Sequence, residues 1–102
     1  MKNLIVITGA IFFDEEIARI LDKSDVAIYS RSNISGHKKK GETDLSENWF
    51  AGGNGYQESV MFFAFTSPNI VDKVMAAVVA FNSTLDSKSP LRAFVLGVEK
   101  HN

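Results

Sequence analysis

Hydrophobic residues occur in four short runs that predict β-strands. Each run is rich in β-branched or aromatic residues and has the length of an ordinary strand. The predicted strands are Leu4–Thr8, Val26–Ser32, Val60–Thr66 and Ala93–Glu99. Between the first and second strands, and again between the third and fourth, the apolar residues recur at helical spacing instead. The predicted order is therefore strand, helix, strand, strand, helix, strand.

The first predicted helix covers about Asp14–Ser24. It places Ile17, Ile20 and Leu21 on one face, which forms the apolar stripe of a helix that packs on a core. Asp14 is predicted to cap this helix, because a short acidic side chain accepts hydrogen bonds from the free N–H groups of the first turn.

The second predicted helix has Ser67 as its cap and Pro68 at its first position. Proline is favoured there because the N–H group that it lacks would have no partner inside the helix. Apolar residues then recur at helical spacing from Ile70 to Phe81. The helix is expected to end near Asn82–Leu85, where Asn, Ser and Thr side chains compete for backbone hydrogen bonds.

This order predicts an α+β fold of the ferredoxin-like type, a βαββαβ sandwich with an antiparallel four-stranded sheet and both helices on one face. The 102 residues fit a single domain, residues 1–102, with a long loop at about residues 33–57 between strands 2 and 3. The loop holds five of the seven glycines and three consecutive lysines. Irregular loops of this length are usually functional or disordered.

The predicted strands are apolar on both faces. Leu4–Ile7, Val60–Phe65 and Phe94–Leu96 do not alternate between apolar and polar residues. Two helices cover one face only, and a bare second face would exceed the apolar patch that a monomer tolerates. The sequence therefore predicts an obligate oligomer in which identical subunits bury the second face. The alternative is that the long loop folds back over the sheet.

The charge balance and the absence of cysteine restrict the partners and the chemistry. Eleven basic and twelve acidic residues give a formal net charge of -1, so nucleic acid and anionic membranes are not expected to attract the protein. Without cysteine, disulfides and thiolate chemistry are excluded, which is typical of a reducing compartment. The first residues lack a signal-peptide cleavage site and a membrane-spanning length, so the protein is expected in the cytoplasm, without membrane insertion.

Three stretches resemble the PII-type signal-transduction proteins, the nitrogen regulatory protein P-II type. Lys40–Leu45 (KGETDL) is similar to the Lys-Gly-x-Thr-acid-Leu segment that opens the family's long T-loop. Ile70–Val79 (IVDKVMAAVV) is similar to the family's second helix, and Ala93–Glu99 (AFVLGVE) to its last core strand. The resemblance runs from about Lys2 to Lys100 with hardly a gap. The chain therefore resembles a divergent member of the PII-like family.

The resemblance implies a non-enzymatic regulator that forms a homotrimer with its sheets packed inward. In the family, the T-loop plugs transporters or binds enzymes, and it changes shape when an effector nucleotide occupies the cleft between subunits. Trp49, Phe50 and Tyr56 are then the aromatic residues expected to contact a partner protein, either a membrane transporter or an enzyme. The alternative is that these aromatic residues pack onto their own sheet.

Several positions depart from the family's nucleotide-binding pattern. Ser35 and His37 stand where the family has glycines, and Lys39 stands where it has a glutamine. The region of the family's glycine-rich B-loop, Asn82–Arg92, contains no glycine, so its N–H groups are not expected to cradle a pyrophosphate in the usual way. Ala51 stands at the position of the tyrosine that some relatives have uridylylated, which excludes that modification there.

The small effector is expected to be a nucleotide or another anion, with an adenine nucleotide as one candidate. The candidate ligand-binding residues are Gly36, His37, Lys39, Lys40, Gly41, Lys88 and Arg92. Lysines meet phosphate as point charges, whereas an arginine such as Arg92 can clamp an anion with two N–H groups. The alternative is that these cations are ordinary solvated surface charges.

His37 and His101 are the only histidines and are candidate metal ligands. Together with Glu42, Asp44 or Glu99 they could coordinate a divalent cation, across subunits if necessary. They lack a ligand spacing of the His-x-x-x-His type, and exposed histidines without a metal are the alternative. The second candidate function is a divalent-metal-binding or metal-tolerance protein, similar to the trimeric copper-tolerance proteins of related fold.

Catalysis and RNA binding find little support in the sequence. Thr8, Gly9 and Ala10 follow the first strand without the rest of a dinucleotide-binding fingerprint, and no serine stands in a nucleophile elbow. The third strand is aromatic, as in RNA-recognition domains, but it lacks their Lys/Arg-Gly start. The sequence therefore predicts neither an enzyme nor an RNA-binding protein.

Overall fold

A computed structural model of the chain describes residues 2–37, 56–85 and 89–102. The elements are β1 (Asn3–Ala10), a short 3₁₀ helix (Ile11–Phe13), α1 (Asp14–Lys23), β2 (Ser30–His37), β3 (Tyr56–Thr66), α2 (Pro68–Ser83) and β4 (Arg92–Gly97). Strands and helices follow each other in the predicted order.

The four strands form one antiparallel sheet in the order β2-β3-β1-β4. Helix α1 connects β1 to β2, which are separated by β3, and helix α2 connects β3 to β4, which are separated by β1. One strand of each strand–helix–strand unit therefore lies between the two strands of the other unit. This arrangement is the ferredoxin-like fold, and the predicted fold class is confirmed.

The core lies between the helices and one face of the sheet. It draws on both central strands, both helices and the segment before β4, and it includes Ile5, Ile7, Val60, Phe62, Ala64, Ile17, Leu21, Val74, Val78 and Leu91. Burying a large apolar side chain contributes about 1.5–3 kcal/mol relative to leaving it in water. Because both helices share this one core, they lie on the same face of the sheet.

The predicted bounds of the second strand were wrong. Strand β2 is Ser30–His37 rather than Val26–Ser32. Val26 is buried in the core, and Ile28 is 81% exposed in the connection from α1 to β2. The apolar run before Ser30 indicated a strand, but the position of an edge strand is decided by its hydrogen-bonded pairing with its neighbour. Here β2 pairs with β3 through residues that are mostly polar.

Strand pairing extends further towards the long loop than the sequence indicated. Residues 33–37 belong to β2 and residues 56–57 to β3, and His37 pairs with Tyr56. The rest of the predicted loop, residues 38–55, lies outside the described residues. The loop and its role therefore stay predictions, while its two ends are fixed by a continuous ladder of backbone hydrogen bonds.

The start of α1 also differs from the prediction. Asp14 is the first helical residue, and Phe13 takes the cap position without a side-chain hydrogen bond. The Asp14 carboxylate accepts hydrogen bonds from Nε and Nη2 of Arg31 in β2, both at 2.7 Å. These hydrogen bonds raise the pKa of Arg31. The pair joins the edge strand to the helix layer, although water screens much of its Coulomb energy because both side chains are 37% exposed.

The predicted bounds of the second helix agree with the structure. Helix α2 begins at Pro68 and ends at Ser83, and Ser67 holds the cap position although its hydroxyl makes no capping hydrogen bond. Just beyond the last turn, the Thr84 hydroxyl donates a hydrogen bond to the carbonyl oxygen of Phe81 at 2.8 Å. The sequence indicated that side chains of this kind would compete for backbone hydrogen bonds at the end of the helix, and this bond is an example.

Gly9 of β1 lies where the sheet approaches the core most closely. A Cβ atom at this position would stand 2.6 Å from Cδ2 of Leu91 and 3.4 Å from Cδ1 of Ile17. We expect Gly9→Ala to lower the free energy of unfolding by about 1–3 kcal/mol, because a buried leucine has little room to move. Gly97→Ala is the matched control, since nothing lies within 4 Å of a Cβ at that position. Urea denaturation at a fixed protein concentration compares them, and equal stability of the two variants would contradict this account of Gly9.

Candidate functional site

The face of the sheet that the helices leave uncovered is apolar. The strand register places on it the even-numbered residues of β1 and the β3 and β4 residues directly opposite them. We call this surface the open sheet face; its apolar members that are exposed or partly exposed are Leu4, Val6, Ile34, Met61, Phe63, Phe65, Phe94 and Leu96. Phe65 is 57% exposed and Leu96 is 50% exposed. The sheet is therefore apolar on both faces, as the sequence predicted.

Ser59 of β3 is a polar exception on this face. It pairs with Ala10 of β1 and with Ile34 of β2. The residue is fully buried, and its hydroxyl has no hydrogen-bond partner among the described residues. A buried hydroxyl without a partner costs about 1–3 kcal/mol. Sequence reasoning missed it because one serine in an apolar strand carries no signal of burial.

The candidate effector residues lie on opposite edges of the sheet. Gly36 and His37 end β2, whereas Arg92 begins β4. Across the sheet, three strand spacings separate the two edges, which is about 14 Å. Along the strands, Gly36 is displaced from Arg92 by four residues, which is also about 14 Å. Within one subunit the two residues are thus about 20 Å apart, too far for one small anion to contact both. Outside the described residues lie Lys39, Lys40, Gly41 and Lys88.

The two histidines lie at opposite ends of the sheet. His37 pairs with Tyr56, whereas His101 lines a cavity together with Phe65, nine residues further along β3 and about 30 Å away. Nδ1 of His101 lies 2.8 Å from the carbonyl oxygen of Asn102. In residues 2–37, 56–85 and 89–102, no three His, Asp or Glu side chains cluster to hold a metal ion. A metal shared by these two histidines would need two subunits.

The predicted partner-binding aromatic residues lie at or beyond the limit of the described segments. Trp49 and Phe50 lie outside them, and so does the alternative in which the loop covers the open sheet face. Tyr56 is the first residue of β3 and pairs with His37, so its backbone belongs to the sheet. The partner-binding role of these residues stays a prediction.

Asn82 holds together the end of α2 and the residue before β4, the two ends of the segment that the sequence resemblance aligned with the PII B-loop. Its Nδ2 donates a hydrogen bond to the Leu91 carbonyl oxygen, and its Oδ1 accepts one from the Leu91 N–H, both at 2.9 Å. Leu91 is 2% exposed and is part of the core. The side chain of Asn82 thereby fixes the start of β4, including Arg92, relative to the end of α2. The sequence indicated only that this asparagine helps to end the helix.

Replacing Asn82 tests this clamp. Asn82→Asp keeps the shape of the side chain but puts a carboxylate oxygen against the Leu91 carbonyl oxygen, so we expect the free energy of unfolding to fall by about 1–3 kcal/mol. The matched control is Asn69→Asp, an exposed position in the first turn of α2, where a carboxylate should leave stability unchanged or raise it slightly. Chemical denaturation measures both, and an unaltered stability of Asn82→Asp would rule out the clamp.

Tyr29 precedes β2 and has a structural role. Its ring centroid lies 5.7 Å from that of Phe62 in the core. Burial raises the pKa of Tyr29, and the charge of Asp22 and a hydrogen bond with Asp22 raise it further. The phenol therefore stays protonated at neutral pH and packs at the border of the core.

The fold is shared with solved structures of PII-like proteins. GlnK of B. subtilis superimposes with a TM-score of 0.70 and 20% sequence identity, covering 96% of this chain and 85% of that chain. CPII, a nitrogen regulatory PII-like protein from Thiomonas intermedia K12, has a TM-score of 0.66 and 17% identity, covering 92% and 86%. A DUF3240 family protein from Shewanella baltica OS155 has a TM-score of 0.68 and 15% identity, covering 99% and 93%.

These comparisons confirm, at the level of the fold, the resemblance to PII-like proteins that the sequence motifs indicated. No protein-family model and no curated protein sequence matches the chain. The chain thus has the fold of a divergent PII-like protein. Within the described segments, neither helix has the length and apolar content that crossing a membrane requires.

Proposed function

We propose that this chain is a non-enzymatic PII-like regulatory protein that functions as a homotrimer. The observation that carries the proposal is the open sheet face, which leaves large side chains such as Phe65 and Leu96 half exposed in a single chain. Monomeric proteins rarely leave a contiguous apolar patch of this kind in water. Three copies whose sheets pack inward would bury it, and the resemblance to PII proteins implies that arrangement.

The same assembly supports an effector site between subunits. Strands β2 and β4 are the outer strands of the sheet, so Gly36 and Arg92 lie on opposite edges of one subunit. In a closed ring, one edge of each subunit faces the other edge of its neighbour. Residues about 20 Å apart in one chain can then contact the same ligand at a subunit junction.

The proposed effector is a nucleotide or another anion. The CPII structure contains ADP, AMP and bicarbonate, and GlnK has also been solved as an ATP complex. In this chain, Ser35 and His37 replace glycines of the usual phosphate cradle. The positive charge for an anion is therefore supplied by side chains, and the proposed cations are Lys39, Lys40, Lys88 and Arg92.

The proposed output is carried by the long loop. Effector binding at the junction would shift the loop between a conformation that binds a partner protein and one that does not. The partner would be a membrane transporter or an enzyme, contacted in the cytoplasm. Trp49, Phe50 and Tyr56 are the proposed anchors, because aromatic residues dominate the binding energy of protein interfaces.

The trimer is tested by light scattering coupled to gel filtration. The wild-type protein should have a mass near three times 11.2 kDa. Phe63→Glu should dissociate it by placing a charge on the open sheet face, whereas Val79→Glu, at a position of α2 that is 65% exposed, should leave it intact. Leu96→Glu, also on the open sheet face, is a second test if Phe63→Glu does not fold. A wild-type monomer at low micromolar concentration would refute the trimer.

The effector site is tested with a thermal-shift panel of ATP, ADP, AMP, bicarbonate and divalent metals, because a ligand that binds only the folded state raises the melting temperature. For the anion that responds, the double variant Lys40→Ala and Arg92→Ala should bind at least about tenfold more weakly, since hydrogen bonds to charged groups contribute about 1.5–3 kcal/mol each.

The control for the double variant is Arg19→Ala, an exposed cation of α1, which should bind the anion like the wild type. Unchanged affinity of the double variant would remove the proposed site. A response to metals alone, lost in His37→Ala, would favour the metal-tolerance function instead.

A further inference from the structure

An exposed aromatic side chain lies at the end of the sheet from which the long loop leaves. Phe12 belongs to the short 3₁₀ helix between β1 and α1, and it is 68% exposed, more than Phe65 on the open sheet face. Strand β1 ends at Ala10, which pairs with Ser59, three residues from Tyr56 at the base of the long loop. The end of β1 is thus about 10 Å along the sheet from the base of the loop.

The ring of Phe12 is supported by other aromatic residues without being buried by them. Its centroid lies 4.5 Å from that of Phe13. Phe13 in turn meets Phe81 of α2 edge to face at 5.6 Å, and both Phe13 and Phe81 pack against the core. One side of the Phe12 ring is therefore held in place while the other remains in water, so little side-chain entropy would be lost when a partner covers it.

The proposed trimer would leave Phe12 uncovered. The open sheet face is on the side of the sheet opposite to the helices, whereas Phe12 joins the helix layer through Phe13 and Phe81. The outer strands β2 and β4 would face neighbouring subunits, but Phe12 follows β1, which is a central strand. The surface around Phe12 is therefore separate from both kinds of contact between subunits.

The surroundings of Phe12 are acidic. The first turn of α1 contains Asp14, Glu15 and Glu16. Asp14 is paired with Arg31, but among the described residues no cation forms an ion pair with Glu15 or Glu16. Two carboxylates thus keep their negative charge beside an exposed aromatic ring.

This charge decides which kind of occupant fits the surface. An anionic membrane would be repelled, whereas a protein that presents basic residues would be attracted. A protruding aromatic ring fits between four side chains on the apolar stripe of a helix, as a knob fits into a hole. The complementary element is therefore an amphipathic helix whose apolar stripe is bordered by Lys or Arg.

We propose that Phe12, together with Glu15 and Glu16, forms a docking surface for a basic amphipathic helix of the partner protein. The proposal rests on the proposed regulatory function, because this partner is the protein that the long loop would contact. The loop would supply the part of the binding that depends on the effector, and Phe12 would supply a constant part. A rigid aromatic side chain is the kind of residue that contributes most to the affinity of a protein interface.

The docking surface is tested with two synthetic peptides of about 18 residues, which is long enough to form a helix. Both carry the same leucine stripe, but the polar face is Lys and Arg in one peptide and Glu in the other. Fluorescence anisotropy should show binding of the basic peptide only. Phe12→Ala should weaken this binding about tenfold, as expected when an anchoring aromatic residue is truncated. Val79→Ala is the matched control, because it removes apolar surface at a position of α2 that is 65% exposed, and it should bind like the wild type.

The contribution of charge is tested with the double variant Glu15→Gln and Glu16→Gln. It should bind the basic peptide more weakly and with less dependence on salt, since salt screens the attraction between exposed charges. Asp72→Asn, which removes an exposed carboxylate of α2, is the control and should leave the affinity unchanged.

Equal affinity of the two peptides would overturn the proposal, and so would a basic peptide that binds Phe12→Ala as tightly as the wild type. The mass of the trimer and the response to anions are measured on the same variants and should not change, because Phe12 belongs to neither site. Failure of the peptide to bind an intact trimer would therefore remove the docking surface alone, whereas a monomeric wild type would remove the regulatory function.

Discussion

The rest of the structure depends on one constraint: the chain makes a sheet with two apolar faces and has helices for only one. In a ferredoxin-like fold both strand–helix–strand connections are right-handed, which places both helices on the same side of the sheet. Ile5 and Phe62 are therefore sealed beneath α1 and α2, while their neighbours Val6 and Phe63 point to the uncovered side. Since the helices cannot reach that side, the core of one chain does not cover it, and the proposed trimer would bury it.

The two outer strands connect this constraint to function. Each outer strand is tied to the helix layer by polar side chains: Arg31 binds Asp14 at the start of α1, and Asn82 at the end of α2 binds the backbone of Leu91 beside β4. Both contacts hold backbone segments that would otherwise be joined to the sheet along only one edge. They fix the positions of Gly36 and Arg92 relative to the helix layer, and in the proposed trimer the outer edges of both strands would face neighbouring subunits.

The sequence by itself determined the type and order of the elements, the bounds of α2 and the apolar character of both sheet faces, because these depend on periodicity and on Ser–Pro and Asn signals that act over a few neighbouring residues. Only the tertiary structure decided the position of β2, the pairing of Asp14 with Arg31 17 residues away, the clamp of Asn82 and the buried, unpartnered hydroxyl of Ser59. Each of these depends on whether a residue distant in the sequence comes within hydrogen-bond distance in the folded chain. That is a property of the packed chain, and no local pattern of residues encodes it.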